Sequence, residues 1–130
     1  DKVAKAFVPG NHASTFGGNP LAMAAGTAVL KTILQENILE HCRKTGAYFL
    51  SQLKKLQQKH AAINAVRGKG LMLAVKLNID AAGIVGECLK QGLLVNSTGG
   101  QVLRFVPPLI ITEQDIDQTV AVLDSVLEGK

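Results

Sequence analysis

The sequence predicts an α+β fold, a small mixed or antiparallel sheet of three or four strands with helices on one face. Three observations carry this expectation. Two long helical periodicities fill the first half of the chain, short apolar runs bounded by Gly, Pro and Asn follow, and a capped amphipathic segment closes it. With 130 residues, 47% hydrophobic and 18% charged, the chain is long enough to bury such a core and lies far from compositions that stay disordered.

Each element has a local cause. Residues Val8 to Gly18 read as a loop, and Asn19-Pro20 pairs an N-cap residue with proline at the first helical position, so a helix begins at Pro20. Leu21, Ala24, Ala25, Ala28, Val29, Thr32 and Ile33 then form a stripe of small residues suited to packing on several sides. After a break at Gln35 to Asn37, Leu39, Cys42, Gly46, Phe49, Leu53 and Leu56 recur every three or four residues. Lys44, Lys54, Lys55 and Gln58 occupy the opposite side, the pattern of a long surface helix lying on a sheet. Arg67-Gly68-Lys69-Gly70 reads as a tight turn into a strand, Leu71 to Leu77, or as two cations on a phosphate nest.

Asp80 caps a short helix that turns Ile84, Val85, Cys88 and Leu89 inward and stops at Gly92. Leu93 to Val95 and Val102 to Val106 are strand-like and flank the turn-forming Asn96 to Gly100, which predicts an antiparallel hairpin. Pro107-Pro108 ends the second strand. Thr112 with Asp115 forms a capping box, and Ile116, Val120, Leu123, Val126 and Leu127 supply the apolar stripe of the last helix.

Composition removes several function classes. The net charge of +4 comes from scattered cations without a basic stripe, and aromatic residues make up only 4% with no Trp, which disfavours nucleic-acid partners. No run of apolar residues is long enough to span a membrane, and the N-terminal residues lack the order of a signal peptide. Cys42 and Cys88 make neither a disulfide framework nor a metal clip, which suits a reducing cytoplasm. His12, His41 and His60 share no ligand spacing, so no metal site is expected, and His41 and His60 read as helix-surface residues.

Two places could carry chemistry. Ser14 and Thr15 precede Gly17-Gly18-Asn19 and a helix start, where hydroxyls, free backbone N–H groups and the helix dipole could receive an anion; an ordinary capped loop has the same composition. Arg104 lies on the strand face of Val102 and Val106. Its partner is either a carboxylate of the chain, Asp115, Asp117 or Glu87, or the carboxylate of a ligand, to which a guanidinium fork is well matched.

The string His12-Ala13-Ser14-Thr15-Phe16-Gly17-Gly18-Asn19-Pro20-Leu21-Ala22 resembles the H-G-S-T-F-G-G-N-P-L-A signature of class III pyridoxal-phosphate aminotransferases, with Ala13 in place of a glycine. Val66 to Met72, Gly92 to Asn96 and Leu103 to Thr112 resemble the acetylornithine aminotransferase branch in order and spacing. The resemblance covers essentially the whole chain. It implies the C-terminal small domain of a fold-type I enzyme, with residues 1–34 ending the large domain and carrying the phosphate loop and a connecting helix, and residues 35–130 forming the small α+β domain.

The resemblance further implies transfer of an amino group between N-acetylornithine and 2-oxoglutarate through pyridoxal 5′-phosphate, in the cytoplasmic biosynthesis of arginine. Ornithine, succinylornithine and 4-aminobutyrate aminotransferases share the layout. Thr15 would bind the cofactor phosphate of the neighbouring subunit of a homodimer, Ser14 would lie at the substrate, and Arg104 would hold the α-carboxylate shared by the amino-acid and keto-acid substrates. The family's Schiff-base lysine lies before the point where this chain begins, and none of Lys2, Lys5 or Lys69 sits in its motif. No catalytic residue is therefore expected in this chain, which should be inactive alone. A non-catalytic module that self-associates through the Pro20 to Ile33 helix is the alternative.

Overall fold

The computed structural model describes residues 2–12 and 14–130; Ala13, the one departure from the signature, lies outside them. The chain forms two compact units, Asp1–Glu36 and Asn37–Lys130.

The first unit holds a short 3-10 turn at Ala4–Ala6 and helix α1, Pro20–Gln35. Proline opens the helix, and the Asn19 Oδ1 accepts a hydrogen bond from the Ala22 N–H at 2.9 Å, as the cap sequence requires. None of α1's residues is buried. The expected packing on several sides is thus not found, because a small-residue stripe needs a second apolar surface and this unit has no other long element among its described residues.

The second unit builds the sheet. Helix α2 spans Ile38–Lys59, strand β1 Ile63–Lys69, β2 Met72–Leu77, helix α3 Ala81–Lys90, β3 Asn96–Thr98, β4 Val102–Phe105 and helix α4 Glu113–Leu127. The strand order is β1-β2-β4-β3 with every neighbouring pair antiparallel. β2 and β3 run in the same direction, but β4 is inserted between them, so no parallel ladder forms. Alternation sends Leu73, Val75 and Leu77 of β2 and Leu103 and Phe105 of β4 to one face. There they join Phe49, Leu53 and Leu56 of α2, Ile84 and Cys88 of α3, and Ile116, Leu123, Val126 and Leu127 of α4 in a single core.

Several local expectations shift. β1 is a strand that the sequence pattern did not show, because a bulge between Ile63 and Ala65 breaks its alternation. The edge strand expected at Leu93 to Val95 starts instead at Asn96, and Gly99-Gly100, both with positive φ, make the turn. Leu39 and Leu89 face outward rather than inward, since each lies about 100° round its helix from a buried neighbour, Ile38 or Cys88. His60 is buried rather than on the surface, with its Nε2 2.5 Å from the Asp124 Oδ1, while the Lys59 Nζ reaches the Asp124 Oδ2 at 2.6 Å. Those contacts tie the end of α2 to α4.

The β1–β2 turn is pressed against α2. A side chain at Gly46 would fall on the carbonyl group of Gly70, so helix and turn meet backbone to backbone. Gly68 sits on the core side of β1, where a Cβ would strike the Met72 carbonyl oxygen and Leu73, and its φ of +156° also favours glycine. These two glycines fix how the hairpin lies and which of its side chains face away from the helices.

Candidate functional site

Arg104 occupies the strand β4, paired with Ala74 of β2 on one side and Asn96 of β3 on the other, on the face turned away from the core. It is exposed. Each of the three carboxylates that the sequence offers as its partner is engaged elsewhere. Asp115 accepts from the Thr112 N–H at 2.9 Å and the Thr112 hydroxyl at 2.6 Å in the capping box, and the Tyr48 hydroxyl donates to the Asp117 Oδ1 at 2.6 Å. Glu87 is paired with the Lys90 Nζ at 2.7 Å.

The charges follow these contacts. The Thr112 hydroxyl and backbone hold the Asp115 carboxyl below its ordinary pKa, and Lys90 does the same to Glu87. The hydrogen bond to Asp117 raises the Tyr48 hydroxyl. Among the described residues Arg104 therefore has no ion-pair partner, and its guanidinium is free to take a carboxylate from outside.

Two cavities meet at Arg104. One of about 370 Å³ is largely apolar and includes Leu93, Leu94, Val95, Phe105 and Pro107 in its wall. The other, about 620 Å³, lies over the outer face of the sheet and includes Arg67, Ala74, Thr98 and Val102. A guanidinium at such a junction can fix one end of a small molecule while apolar walls exclude water from the rest of it.

The loop before α1 belongs to the first unit. The Ser14 Oγ accepts from the Gly17 N–H at 3.0 Å, and the Asn19 Nδ2 donates to the Phe16 carbonyl at 2.6 Å, which folds the loop onto the helix start. Thr15 is exposed and its hydroxyl makes no hydrogen bond among the described residues. Among the described residues the Ser14 hydroxyl proton also has no acceptor. Gly18 has a φ of +73° with open space where a side chain would be, so the backbone there can be approached closely. No acidic residue occurs from Lys2 to Gln35. The Thr15 hydroxyl on a glycine-opened loop without a carboxylate fits a phosphate group, and the Ser14 hydroxyl beside it can serve a second polar group.

Other titratable groups have structural places. The His41 Nε2 lies 2.9 Å from the Ile111 carbonyl oxygen and so anchors the segment between β4 and α4. Among the described residues, no group of three His, Cys, Asp or Glu could hold a metal ion, and no helix is long and apolar enough to cross a membrane. Sequence reading missed that Arg67 and Lys69 share the sheet face of Arg104. The signal lay in their spacing of two, which in a strand puts both on one side.

Comparison with known proteins places this architecture. The family model described as Aminotransferase class-III matches residues 1–127. The chain belongs to the class III aminotransferase family. An acetylornithine aminotransferase of Caldanaerobacter subterraneus subsp. tengcongensis is 52% identical over 122 residues, which is 93% of this chain and 31% of that protein. The crystal structure of an acetylornithine aminotransferase from Elizabethkingia anophelis matches with a TM-score of 0.85 and 35% identity over 96% of this chain and 32% of its own. An ornithine aminotransferase from Toxoplasma gondii, whose active site partly holds PLP, matches with a TM-score of 0.86 and 34% identity over 98% of this chain and 31% of its own. The class III aminotransferase chain described here thus spans about a third of the length of the relatives it matches.

Proposed function

We propose that this chain is part of an enzyme that moves an amino group between N-acetylornithine and 2-oxoglutarate with pyridoxal 5′-phosphate as cofactor. The acetylornithine relative at 52% identity supports the donor, and the ornithine aminotransferase structure makes free ornithine the second reading. When bound, the cofactor supplies the electron sink that lets the bond from Cα to hydrogen break.

The chain's own residues bind and orient. Thr15 donates its hydroxyl to the cofactor phosphate of the neighbouring subunit in a homodimer, and Ser14 presents its hydroxyl to the substrate. Arg104 grips the α-carboxylate with two parallel N–H donors, which fixes the rotation of the substrate about its Cα. Leu93, Leu94 and Val95 supply apolar wall beside it. The observation that carries the reading is the free guanidinium of Arg104, since the three carboxylates that the sequence offers as its partners, Asp117, Asp115 and Glu87, all bond elsewhere.

The test is Arg104→Gln and Arg104→Lys in the full-length protein. Loss of a charged hydrogen-bonded contact worth about 1.5–3 kcal/mol should lower kcat/KM for amino acids and keto acids by about ten- to a hundredfold. Lysine should recover only part, because an ammonium cannot reproduce the fork. An amine without an α-carboxylate should react as slowly as before. Equal losses for the amine and the amino acid in a folded, cofactor-loaded variant would sink the assignment.

A further inference from the structure

The segment that leads from β4 to α4, Val106 to Thr112, has little of its own to hold it. Pro107 and Pro108 have no N–H to offer a ladder, and Val106, Pro108, Leu109 and Ile110 are all exposed. One internal bond, from the Ile111 N–H to the Pro108 carbonyl at 3.1 Å, closes a turn. Among the described residues, the side chains that bond to Val106–Ile111 are two neighbours on α2. The Cys42 Sγ reaches the Leu109 carbonyl oxygen at 3.6 Å, and the His41 Nε2 lies 2.9 Å from that of Ile111.

These two contacts differ in strength. A thiol is a weak donor, so the imidazole carries most of the fastening. A carbonyl oxygen only accepts, which requires the hydrogen of His41 to sit on Nε2 and point at Ile111. Thr45, one turn further along α2 and buried, sets its hydroxyl 3.4 Å from the same nitrogen and braces the ring in that orientation.

What the segment positions is the wall beside Arg104. Strand alternation puts Val106 next to Arg104 on the outer face, and Arg104, Val106, Pro107 and Pro108 line the same cavity of about 370 Å³. A guanidinium bonds a carboxylate more strongly where apolar groups keep water away, so a displaced wall weakens the grip without touching the guanidinium.

We propose that His41 is a positioning residue for the Arg104 site. Its Nε2–H holds the Ile111 carbonyl against α2 and so keeps Val106, Pro107 and Pro108 in place beside the guanidinium when a carboxylate binds. The inference rests on the α-carboxylate role of Arg104, and adds that a ring on the neighbouring helix sets how tightly that carboxylate is held.

The experiment uses two substitutions in the full-length protein. His41→Phe keeps a ring and removes the donor, whereas His41→Gln places an N–H at a similar reach from the backbone. His41→Phe should raise KM for amino acids and keto acids about three- to tenfold, the effect of losing one neutral hydrogen bond, and change kcat and the affinity for pyridoxal 5′-phosphate by less than about twofold. His41→Gln should restore most of the loss. In an Arg104→Gln background His41→Phe should raise KM no further, because both changes act on one contact. An unchanged KM in His41→Phe, additive losses in the double variant, an equal loss for an amine without an α-carboxylate, or His41→Gln as impaired as His41→Phe overturns the role of His41. Arg104→Gln separates the two proposals: if it impairs the α-carboxylate substrates while His41→Phe is silent, only the role of His41 falls, and if it leaves them unimpaired, the α-carboxylate reading falls and the role of His41 with it.

Discussion

Replacing Gly46 by alanine sets two opposed effects against each other. Alanine is the better helix former by about 1 kcal/mol, so in open space the change would stabilise α2. At this position the new Cβ falls on the carbonyl group of Gly70 and lies 2.9 Å from its Cα. The obstacle is backbone on both sides, so no side-chain rotation relieves it, and α2 and the β1–β2 turn must part by roughly an ångström to restore ordinary contact. Overpacking of this kind costs about 1–3 kcal/mol, and a rigid neighbour places Gly46 at or beyond the top of that range. After the helix gain is subtracted, a net loss of about 2 kcal/mol remains, or roughly 8–16 °C in Tm for a unit of this size. Urea and thermal unfolding of the chain measure it, with Gly86→Ala as control. Gly86 is a helix glycine with nothing within 4 Å of its missing Cβ, and its substitution should stabilise. If Gly46→Ala stabilises the chain as Gly86→Ala does, the close approach of α2 to the turn is wrong.

In the full-length protein Thr15→Ala should weaken binding of pyridoxal 5′-phosphate by about ten- to a hundredfold, the worth of one hydrogen bond to a charged group, as read by equilibrium dialysis. If the loop serves the neighbouring subunit, mixed dimers of this variant with subunits lacking the Schiff-base lysine should regain activity at one site; demonstrated heterodimers without activity would exclude a role in trans. This chain by itself, supplied with pyridoxal 5′-phosphate and both substrates, should show no turnover, and measurable turnover would mean that the chain holds its own catalytic lysine. Asp124 is held below its ordinary pKa by Lys59 first and then His60. Because its folded value lies below the unfolded one of about 3.9, its stabilisation is present above that value and fades as pH falls through the folded pKa. The urea midpoint should therefore drop in acid, and Asp124→Asn should flatten the drop; an unchanged acid profile in the variant would show that the contact with Lys59 and His60 carries no linkage.

Helix boundaries were the most legible part of the sequence, because caps act through residues a few positions apart. Asn19-Pro20 started α1, and Thr112 with Asp115 formed the reciprocal cap of α4. Strands were harder, since their stability comes from partners far away in the chain. β1 was obscured by its bulge and by Arg67 and Lys69, polar residues on a face that no helix of the second unit covers. Leu93 to Val95 looked like a strand but serve as the link from α3 to β3, with Leu94 84% exposed. His60 resembles any polar residue at a helix end until Asp124, distant in sequence, arrives beside it. At the candidate site, alternation placed Arg104 on the face opposite Leu103 and Phe105, but whether a carboxylate of the chain already claimed it depended on Tyr48, Thr112 and Lys90, whose partnerships only the folded chain reveals.

The absence of any buried residue in α1 means that cohesion is distributed unevenly along this polypeptide. A helix of 16 residues that draws nothing from a core must persist on backbone hydrogen bonds, its cap and the propensity of its alanines, which in water is marginal. Its amide protons should trade with solvent through local fraying, whereas those of α2 and the central strands await opening of the whole second unit. The binding chemistry proposed for the loop before α1 would thereby be set on the least self-sufficient segment of the chain, so order at that loop would have to be supplied by whatever surface the leucines and methionine of the helix come to rest against.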